Sequence, residues 1–131
     1  MERFVIRNEK DIGIAVVCAQ TSARSMGFNQ SNIERLGTGI SELAHNIVKY
    51  APETGGDIIV TMERQQERLQ LMVKARDNGP GIADIDAAMQ AHFSTSGSLG
   101  LGLPGLKRMM DAFSIISVPG TGTVVTIRME Q

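Results

Sequence analysis

Three polar side chains within one short stretch have the types and the spacing to handle a phosphorylated ligand. Glu42, Asn46 and Lys49 follow one another at steps of four and three, and at ~100° per helical residue they fall within roughly 60° of one another. A carboxylate can act as a general base, an amide oxygen can ligate Mg²⁺ and an amine can contact phosphate. This stripe lies beside the apolar helix face and predicts the rim of a groove. A solvated polar face has the same spacing, so this stretch alone leaves both interpretations open.

A second candidate is the string Asp77-Asn78-Gly79-Pro80-Gly81, which directly follows a predicted strand. Its glycines allow positive φ angles and a close approach of a ligand to the backbone. A carboxylate at the strand end could accept a hydrogen bond from an exocyclic amino group. Aspartates in turns also commonly cap their own loop, so both roles stay open for Asp77.

A glycine-rich segment, Gly97-Ser98-Leu99-Gly100-Leu101-Gly102-Leu103-Pro104-Gly105, runs into the start of a predicted helix. Unpaired N–H groups and the helix dipole favour phosphate at such a point. The run from Gly100 to Gly105 formally matches G-x-G-x-x-G, but that dinucleotide fingerprint follows a strand, and here a Ser/Gly-rich loop precedes it. The chain also lacks a Walker A sequence and the H-R-D and D-F-G signatures of eukaryotic-type kinases. A phosphate site of another kind is therefore predicted.

The hydrophobic patterns predict the order strand, two helices, two strands, helix, loop, helix, two strands. Asn8 caps a first helix that ends near Gly27, and Asn29 caps a second that stops before Pro52. The other predicted elements are strands over Phe4–Arg7, Asp57–Met62 and Leu69–Arg76, helices over Asp84–Gln90 and from Pro104 to about Ala112, a loop over Ser94–Gly102, and a closing hairpin of Ser114–Val118 and Thr123–Met129. This order predicts an α+β two-layer sandwich, with a mostly antiparallel sheet and helices on one face.

Composition narrows the classes of function. The 131 residues predict one domain spanning 1–131, and 13 basic against 14 acidic residues give a net charge of -1. No basic block supplies an electrostatic footprint for nucleic acid. Cys18 is the only cysteine, which argues for a reducing compartment. The N-terminus lacks a signal-peptide layout and no apolar run approaches the ~20 residues that span a bilayer, so we expect a cytoplasmic protein without a membrane partner.

Four short motifs occur in an order that resembles the N, G1, G2 and G3 boxes of the GHKL ATPases. They are Glu42-Leu43-Ala44-His45-Asn46, Asp77-Asn78-Gly79-Pro80-Gly81, Gly100-Leu101-Gly102 and Gly120-Thr121-Gly122-Thr123. The resemblance covers nearly the whole chain and implies the Bergerat ATP-binding fold, with ATP and Mg²⁺ as cofactors. It implies that Asn46 ligates Mg²⁺, Lys49 contacts phosphate, Asp77 holds the adenine amino group and Thr123 supports that contact. It further implies a pocket formed by Gly79, Gly81, Ile82, Gly97, Ser98, Leu99, Gly100, Leu101 and Gly102.

Within that superfamily the chain is most similar to the small anti-sigma-factor and stressosome-type switch kinases, through its length, Ser41–Asn46 and the stretch from Phe93 to Gly105. This resemblance implies a protein serine/threonine kinase in which Glu42 is the base. The implied substrate is a small STAS-domain protein in a bacterial sigma-factor or stress-response switch. A sigma factor, a downstream phosphatase and a second copy of the chain are further candidate partners. Two alternatives stay open: a nucleotide-gated anti-sigma binding module, and a stand-alone ATPase.

Overall fold

The computed structural model describes residues 1–82, residue 89 and residues 102–131. Within these residues the strands form a single antiparallel sheet in the order β1-β2-β3-β5-β4. The elements are β1 (Glu2–Ile6), α1 (Glu9–Met26), α2 (Gln30–Tyr50), β2 (Gly56–Gln65), β3 (Arg68–Asp77), α3 (Gly102–Met109), β4 (Ala112–Val118) and β5 (Gly122–Glu130). The predicted α+β fold class is confirmed. The helix predicted over Asp84–Gln90 and the loop over Ser94–Gly102 lie outside the described residues, apart from Met89 and Gly102.

The first two helices begin where the sequence places their caps. The Asn8 side chain accepts from the backbone N–H of Lys10 at 3.0 Å, and Asp11 accepts from the Asn8 N–H at 3.2 Å. These reciprocal bonds satisfy N–H groups that have no partner inside the helix. Asn29 does the same for α2, accepting from the Asn32 N–H at 2.8 Å. Both predicted helix starts are therefore correct.

The core lies between the sheet and one layer of helices. Helix α2 lays its apolar face over the central strands, and α1 packs against α2 through small side chains that permit close approach. The buried residues are Ile12, Ala15, Ala19 and Ala23 from α1, Ile33, Leu36, Ile40, Leu43 and Ile47 from α2, and Ile58, Val60, Leu71, Val73, Ala75, Val125, Ile127 and Met129 from the sheet. The opposite sheet face has no helix from the described part of the chain.

Helix α3 differs from the predicted helix that ran from Pro104 to about Ala112. It ends at Met109, whose carbonyl accepts from the Arg35 guanidinium at 2.7 Å. Ala112 instead begins β4 and pairs with Arg128 of β5. From Ala112 onward, the backbone N–H and C=O groups pair with β5 instead of forming helical hydrogen bonds. A helical pattern in the sequence cannot reveal a strand partner that is distant in the chain.

The hairpin of β2 and β3 is also longer than predicted. Both strands continue into residues 63–68, which lie between the predicted strands Asp57–Met62 and Leu69–Arg76, and only Gln66 and Glu67 form the turn. Gln66 adopts a φ of 59°. Where both faces of a strand end are exposed, polar side chains can occupy every position, so the composition of that strand end resembles that of a loop.

The helix-free sheet face carries an ion-pair cluster. Asp57 accepts from Arg76 at 3.0 Å and from Arg3 at 2.7 Å. The hydrogen bond from Arg76, with that from Arg3, holds the pKa of Asp57 below its usual range. Ile116 and Val118 lie exposed on the same face.

No helix in the described part of the chain is both long enough and apolar enough to cross a membrane.

Candidate functional site

A narrow slot between α2 and the sheet brings together three residues that the sequence analysis had singled out separately. Asn46, Asp77 and Thr123 line it, beside Ile82, and its other walls are Leu43, Ile47, Tyr50, Ala75, Leu103 and Val125. Apolar walls with a few converging polar groups are typical of a small-molecule site. The cavity between these residues measures about 10 Å³, which is room for about one water molecule. A ligand as large as a purine therefore requires the walls to separate.

Asp77 is the last residue of β3, so its carboxylate stands at the strand end. It accepts from the backbone N–H of Gly79 at 2.9 Å and from that of Thr123, its partner on β5. Burial nevertheless raises the pKa of Asp77 above its ordinary value, because the loss of hydration outweighs these two bonds. A carboxylate at such a site gains by accepting a further hydrogen bond from a ligand.

The turn after Asp77 depends on two glycines for different reasons. A Cβ on Gly79 would lie 2.7 Å from the carbonyl oxygen of Tyr50, so the turn passes directly under the end of α2. Gly81 has a φ of +80°, and a Cβ there would meet the Val118 carbonyl oxygen at 2.7 Å. These contacts hold the turn at one end of the slot, and the roles of Gly79 and Gly81 toward a ligand stay predictions.

A hydroxyl pair connects this turn to the closing hairpin. Ser117 on β4 faces Thr123 on β5, and their side-chain oxygens lie 2.8 Å apart. The Ser117 oxygen also accepts from the backbone N–H of Ile82 at 2.6 Å. Thr123 is 5% exposed, so its hydroxyl belongs to the interior of the site. Ser117 belongs to none of the motifs; it is one of two serines, with Ser114, in the otherwise apolar run of β4.

Asn46 and Lys49, two residues of the polar stripe on α2, differ in their exposure and contacts. Asn46 lines the slot, and its side-chain nitrogen is buried without a hydrogen-bond partner among the described residues. Lys49 is exposed, and its amine lies 4.9 Å from the centroid of the Tyr50 ring, within cation–π distance. An unsatisfied buried amide is costly in a protein interior, which points to Asn46 as a contact for a ligand.

Glu42 does not lie on an open rim, contrary to the expectation from helical geometry. It is 1% exposed. The same flank of α2 carries Arg35, two turns before Glu42, which bonds to the end of α3 at Met109. The helical period places a side chain on a flank, but it does not reveal whether another element packs there.

Part of the predicted phosphate loop falls beyond what the structure describes. Gly97, Ser98, Leu99, Gly100 and Leu101 lie outside the described residues. Gly102 opens α3 with a φ of +61°, and Leu103 follows it into the wall of the slot. The described end of the glycine-rich segment therefore reaches the same slot as Asp77 and Asn46.

A wider groove of about 590 Å³ lies on the helix-free sheet face, around Arg3, Asp57 and Arg76. Asp77 and Thr123 also line the edge of this groove, but its central carboxylate, Asp57, is already bonded to two guanidinium groups. The slot is smaller but has an acceptor and an amide that still need ligand contacts, and we therefore take the slot as the candidate site.

Comparison with known proteins identifies the class that this fold and site define. Residues 31–131 match the family described as histidine kinase-, DNA gyrase B-, and HSP90-like ATPases, and the chain belongs to that family. The catalytic domain of histidine kinase ThkA shares the fold, with a TM-score of 0.51 and 17% identity over 98% of this chain and 95% of that one.

Within the family, the similarity extends to particular regulators. The chain is 44% identical to the serine/threonine-protein kinase RsbT of Bacillus subtilis, over 92% of this chain and 89% of that protein. It is 27% identical to an anti-sigma F factor of Clostridium beijerinckii, over 95% and 89% of the two chains. The family and the class of enzyme predicted from the sequence, a protein serine/threonine kinase, are confirmed.

Proposed function

We propose that the chain transfers the γ-phosphoryl group of ATP to a serine or threonine of a small STAS-domain regulatory protein, in the cytoplasm of a bacterium. The observation that carries this proposal is the slot in which Asp77, Thr123 and Asn46 converge within an ATPase family fold. The 44% identity to a serine/threonine-protein kinase supports a protein hydroxyl as acceptor. The biological setting is a sigma-factor or stress-response switch.

Asp77 and Thr123 form the end of the site that would bind the base. The ionised Asp77 carboxylate is an acceptor only, which suits the amino group of adenine. Thr123 supports it twice, through the N–H that it donates to Asp77 and through a hydroxyl at the same end of the slot. Gly79, Gly81 and Ile82 keep the neighbouring turn against the sheet, so that the acceptor is fixed before a ligand arrives.

Asn46 and Lys49 form the end that would bind phosphate and metal. No group of three or more His, Cys, Asp or Glu side chains within the described ranges is placed to hold a metal ion. Mg²⁺ often takes one or two protein ligands and fills its shell with water and substrate phosphate, so a single amide oxygen fits it. The Asn46 side-chain nitrogen has no hydrogen-bond partner among the described residues, and turning the amide over would place its oxygen at that position. When bound, Mg²⁺ neutralises charge on the phosphate oxygens.

Lys49 and the segment Gly97–Gly102 would complete the phosphate contacts. The exposed amine of Lys49 can move from the Tyr50 ring to an anion, because it is carried on a flexible four-carbon side chain. The glycine-rich segment runs into the N-terminus of α3, a position that favours phosphate through the helix dipole and backbone N–H groups.

Glu42 would remove the proton from the attacking hydroxyl. Its burial requires the site around it to open, or the hydroxyl of the partner to insert, before the proton can move. Glu42→Gln keeps the size of the buried side chain and should leave the fold and Mg-ATP binding nearly intact. Phosphoryl transfer should fall ~10²- to 10⁴-fold, as on loss of a positioned base. Glu34→Gln, an exposed change on the same helix, is the matched control.

The decisive assay follows radiolabel from γ-labelled ATP to purified STAS-domain proteins, in the presence and absence of Mg²⁺. Label should appear on a serine or threonine of a STAS-domain partner and should decrease with Glu42→Gln but not with Glu34→Gln. A Glu42→Gln variant with wild-type rates would remove Glu42 from the chemistry.

A nucleotide-gated anti-sigma binding module is the second candidate, favoured by the similarity to proteins named anti-sigma F factors. In this case a sigma factor is the partner, and a phosphatase or a second copy of the chain completes the switch. ATP-dependent binding of a sigma factor without transfer of label to any STAS-domain protein would support this function over the kinase.

A further inference from the structure

The Ser117 hydroxyl lies at a junction of three backbone or side-chain groups around the slot. It is 2.6 Å from the Ile82 nitrogen, 2.8 Å from the Thr123 hydroxyl and 3.4 Å from the Gly122 carbonyl oxygen. Through these contacts it joins β4, the turn after β3 and the start of β5. Nothing in the motif set assigns it a role.

Counting donors and acceptors leaves two arrangements of the hydroxyl protons, and the distances favour one of them. A serine hydroxyl has one proton to donate and two lone pairs to accept with. Ile82 can only donate from its N–H, so one lone pair of Ser117 is used there. The Ser117 proton can go to Thr123 at 2.8 Å or to Gly122 at 3.4 Å, and only the first distance lies in the normal range for an O–H···O bond. In the arrangement that the distances favour, Ser117 donates to Thr123; in the other, Thr123 donates to Ser117 and Ser117 donates to the Gly122 carbonyl.

In the favoured arrangement the proton of the Thr123 hydroxyl is left for another acceptor. The backbone N–H of Thr123 is bonded to Asp77, its partner across the β3–β5 pair. At this end the slot thus presents an acceptor, the Asp77 carboxylate, next to a donor, the Thr123 hydroxyl. Adenine has the complementary pair on one edge: an amino group that donates and, beside it, the ring nitrogen N1 that accepts. Guanine presents the reverse order, with an oxygen that accepts and an N1–H that donates.

We propose that Ser117 is a positioning residue for base selection. Its hydroxyl accepts a hydrogen bond from the Ile82 N–H and donates one to the Thr123 hydroxyl. It thereby directs the Thr123 proton into the slot toward N1 of adenine. This inference rests on the proposed nucleotide site. It goes further in naming the residue on β4 that sets the direction of the Thr123 donor. Asp77 alone would select only for the amino group.

The test compares ADP with 1-deaza-ADP, which keeps the amino group but has a C–H in place of N1. Calorimetric titrations would be made on the wild type, Ser117→Ala, the rescue variant Ser117→Thr and the control Ser114→Ala, an exposed serine of the same strand. The wild type should bind ADP more tightly than 1-deaza-ADP by roughly three- to tenfold, the value of one neutral hydrogen bond. Ser117→Ala should lose most of that preference, chiefly by weaker ADP binding, while 1-deaza-ADP binding changes less than about twofold. Ser117→Thr and Ser114→Ala should keep the preference.

A merely structural role would show a different pattern. If Ser117 only held the turn in place, Ser117→Ala would weaken both nucleotides by the same factor, and this result would overturn the inference. A wild type that binds the two nucleotides equally would overturn it without any variant, even if Ser117→Ala failed to fold. Wild-type protein that binds neither nucleotide would instead refute the proposed ATP site. The two failures can therefore be told apart.

Discussion

Replacing Asp77 by asparagine should separate ligand binding from stability. In the wild type the Asp77 carboxylate accepts hydrogen bonds from two backbone N–H groups. Burial still disfavours its ionised form and raises its pKa. A group with a raised folded-state pKa gives its full stabilisation below the unfolded value, about 3.9 for aspartate, and loses it as the pH rises through the folded value. At neutral pH the ionised Asp77 therefore disfavours folding. Asparagine removes that cost and keeps one acceptor, so the free energy of unfolding at pH 7 should stay equal or increase.

Nucleotide binding should respond in the opposite direction. The adenine amino group would lose a charged acceptor, a bond that contributes about 1.5–3 kcal/mol. If the amide turns its nitrogen toward the base, two donors oppose each other. Since about 1.4 kcal/mol corresponds to a factor of ten in affinity, Asp77→Asn should weaken Mg-ATP binding roughly 10- to 100-fold. Titration calorimetry measures the affinity, and urea unfolding measures the stability of the same preparation.

Asp57→Asn is the matched control, because Asp57 has the opposite pKa shift and lies on the helix-free face. A lowered folded-state pKa means that Asp57 stabilises the protein above pH ~4 and that this contribution is lost as the pH falls through the folded value. Its two arginine partners are half exposed, so Asp57→Asn should cost only about 1 kcal/mol at pH 7. Mg-ATP affinity should not change. Unchanged affinity in a folded Asp77→Asn variant would refute the assignment of Asp77 to the base.

Other substitutions test the fold around the slot. Gly122→Ala should cost at least about 2–3 kcal/mol of unfolding free energy, because its Cβ would lie 2.1 Å from the Asp77 carbonyl oxygen at a φ of +139°. Gly13→Ala, on an exposed helix face with nothing within 4 Å, should add about 0.5–1 kcal/mol, and a loss there would contradict the helix assignment. Arg35→Ala should cost about 1–3 kcal/mol in urea unfolding, since the Met109 carbonyl loses a charged donor. A cost near zero would show that the α2–α3 contact needs no such bond.

The four motifs allowed the family and the polar residues that line the slot to be predicted, because each motif is a short run whose chemistry is visible along the chain. The structure brings Asn46, Asp77, Ile82 and Thr123 to one slot, although 77 residues separate the first of these from the last. The roles of these residues in ATP binding stay predictions. The burial of Glu42 and the contribution of Ser117 were not predicted, because both depend on elements distant in sequence.

Local interactions made the first half of the fold readable from the sequence alone. The caps at Asn8 and Asn29 bond to residues two or three positions away, so helix starts are properties of short segments. The register of β4 against β5, in contrast, is decided by how the two strands pair and not by a short segment alone. If residues 119–122 had all formed the loop, Val118 would oppose Thr123; instead Gly122 joins the strand and Ser117 takes that position. Because a slip of one residue exchanges the faces of a strand, only the paired sheet decided that a hydroxyl, not a valine, stands beside the base end of the slot.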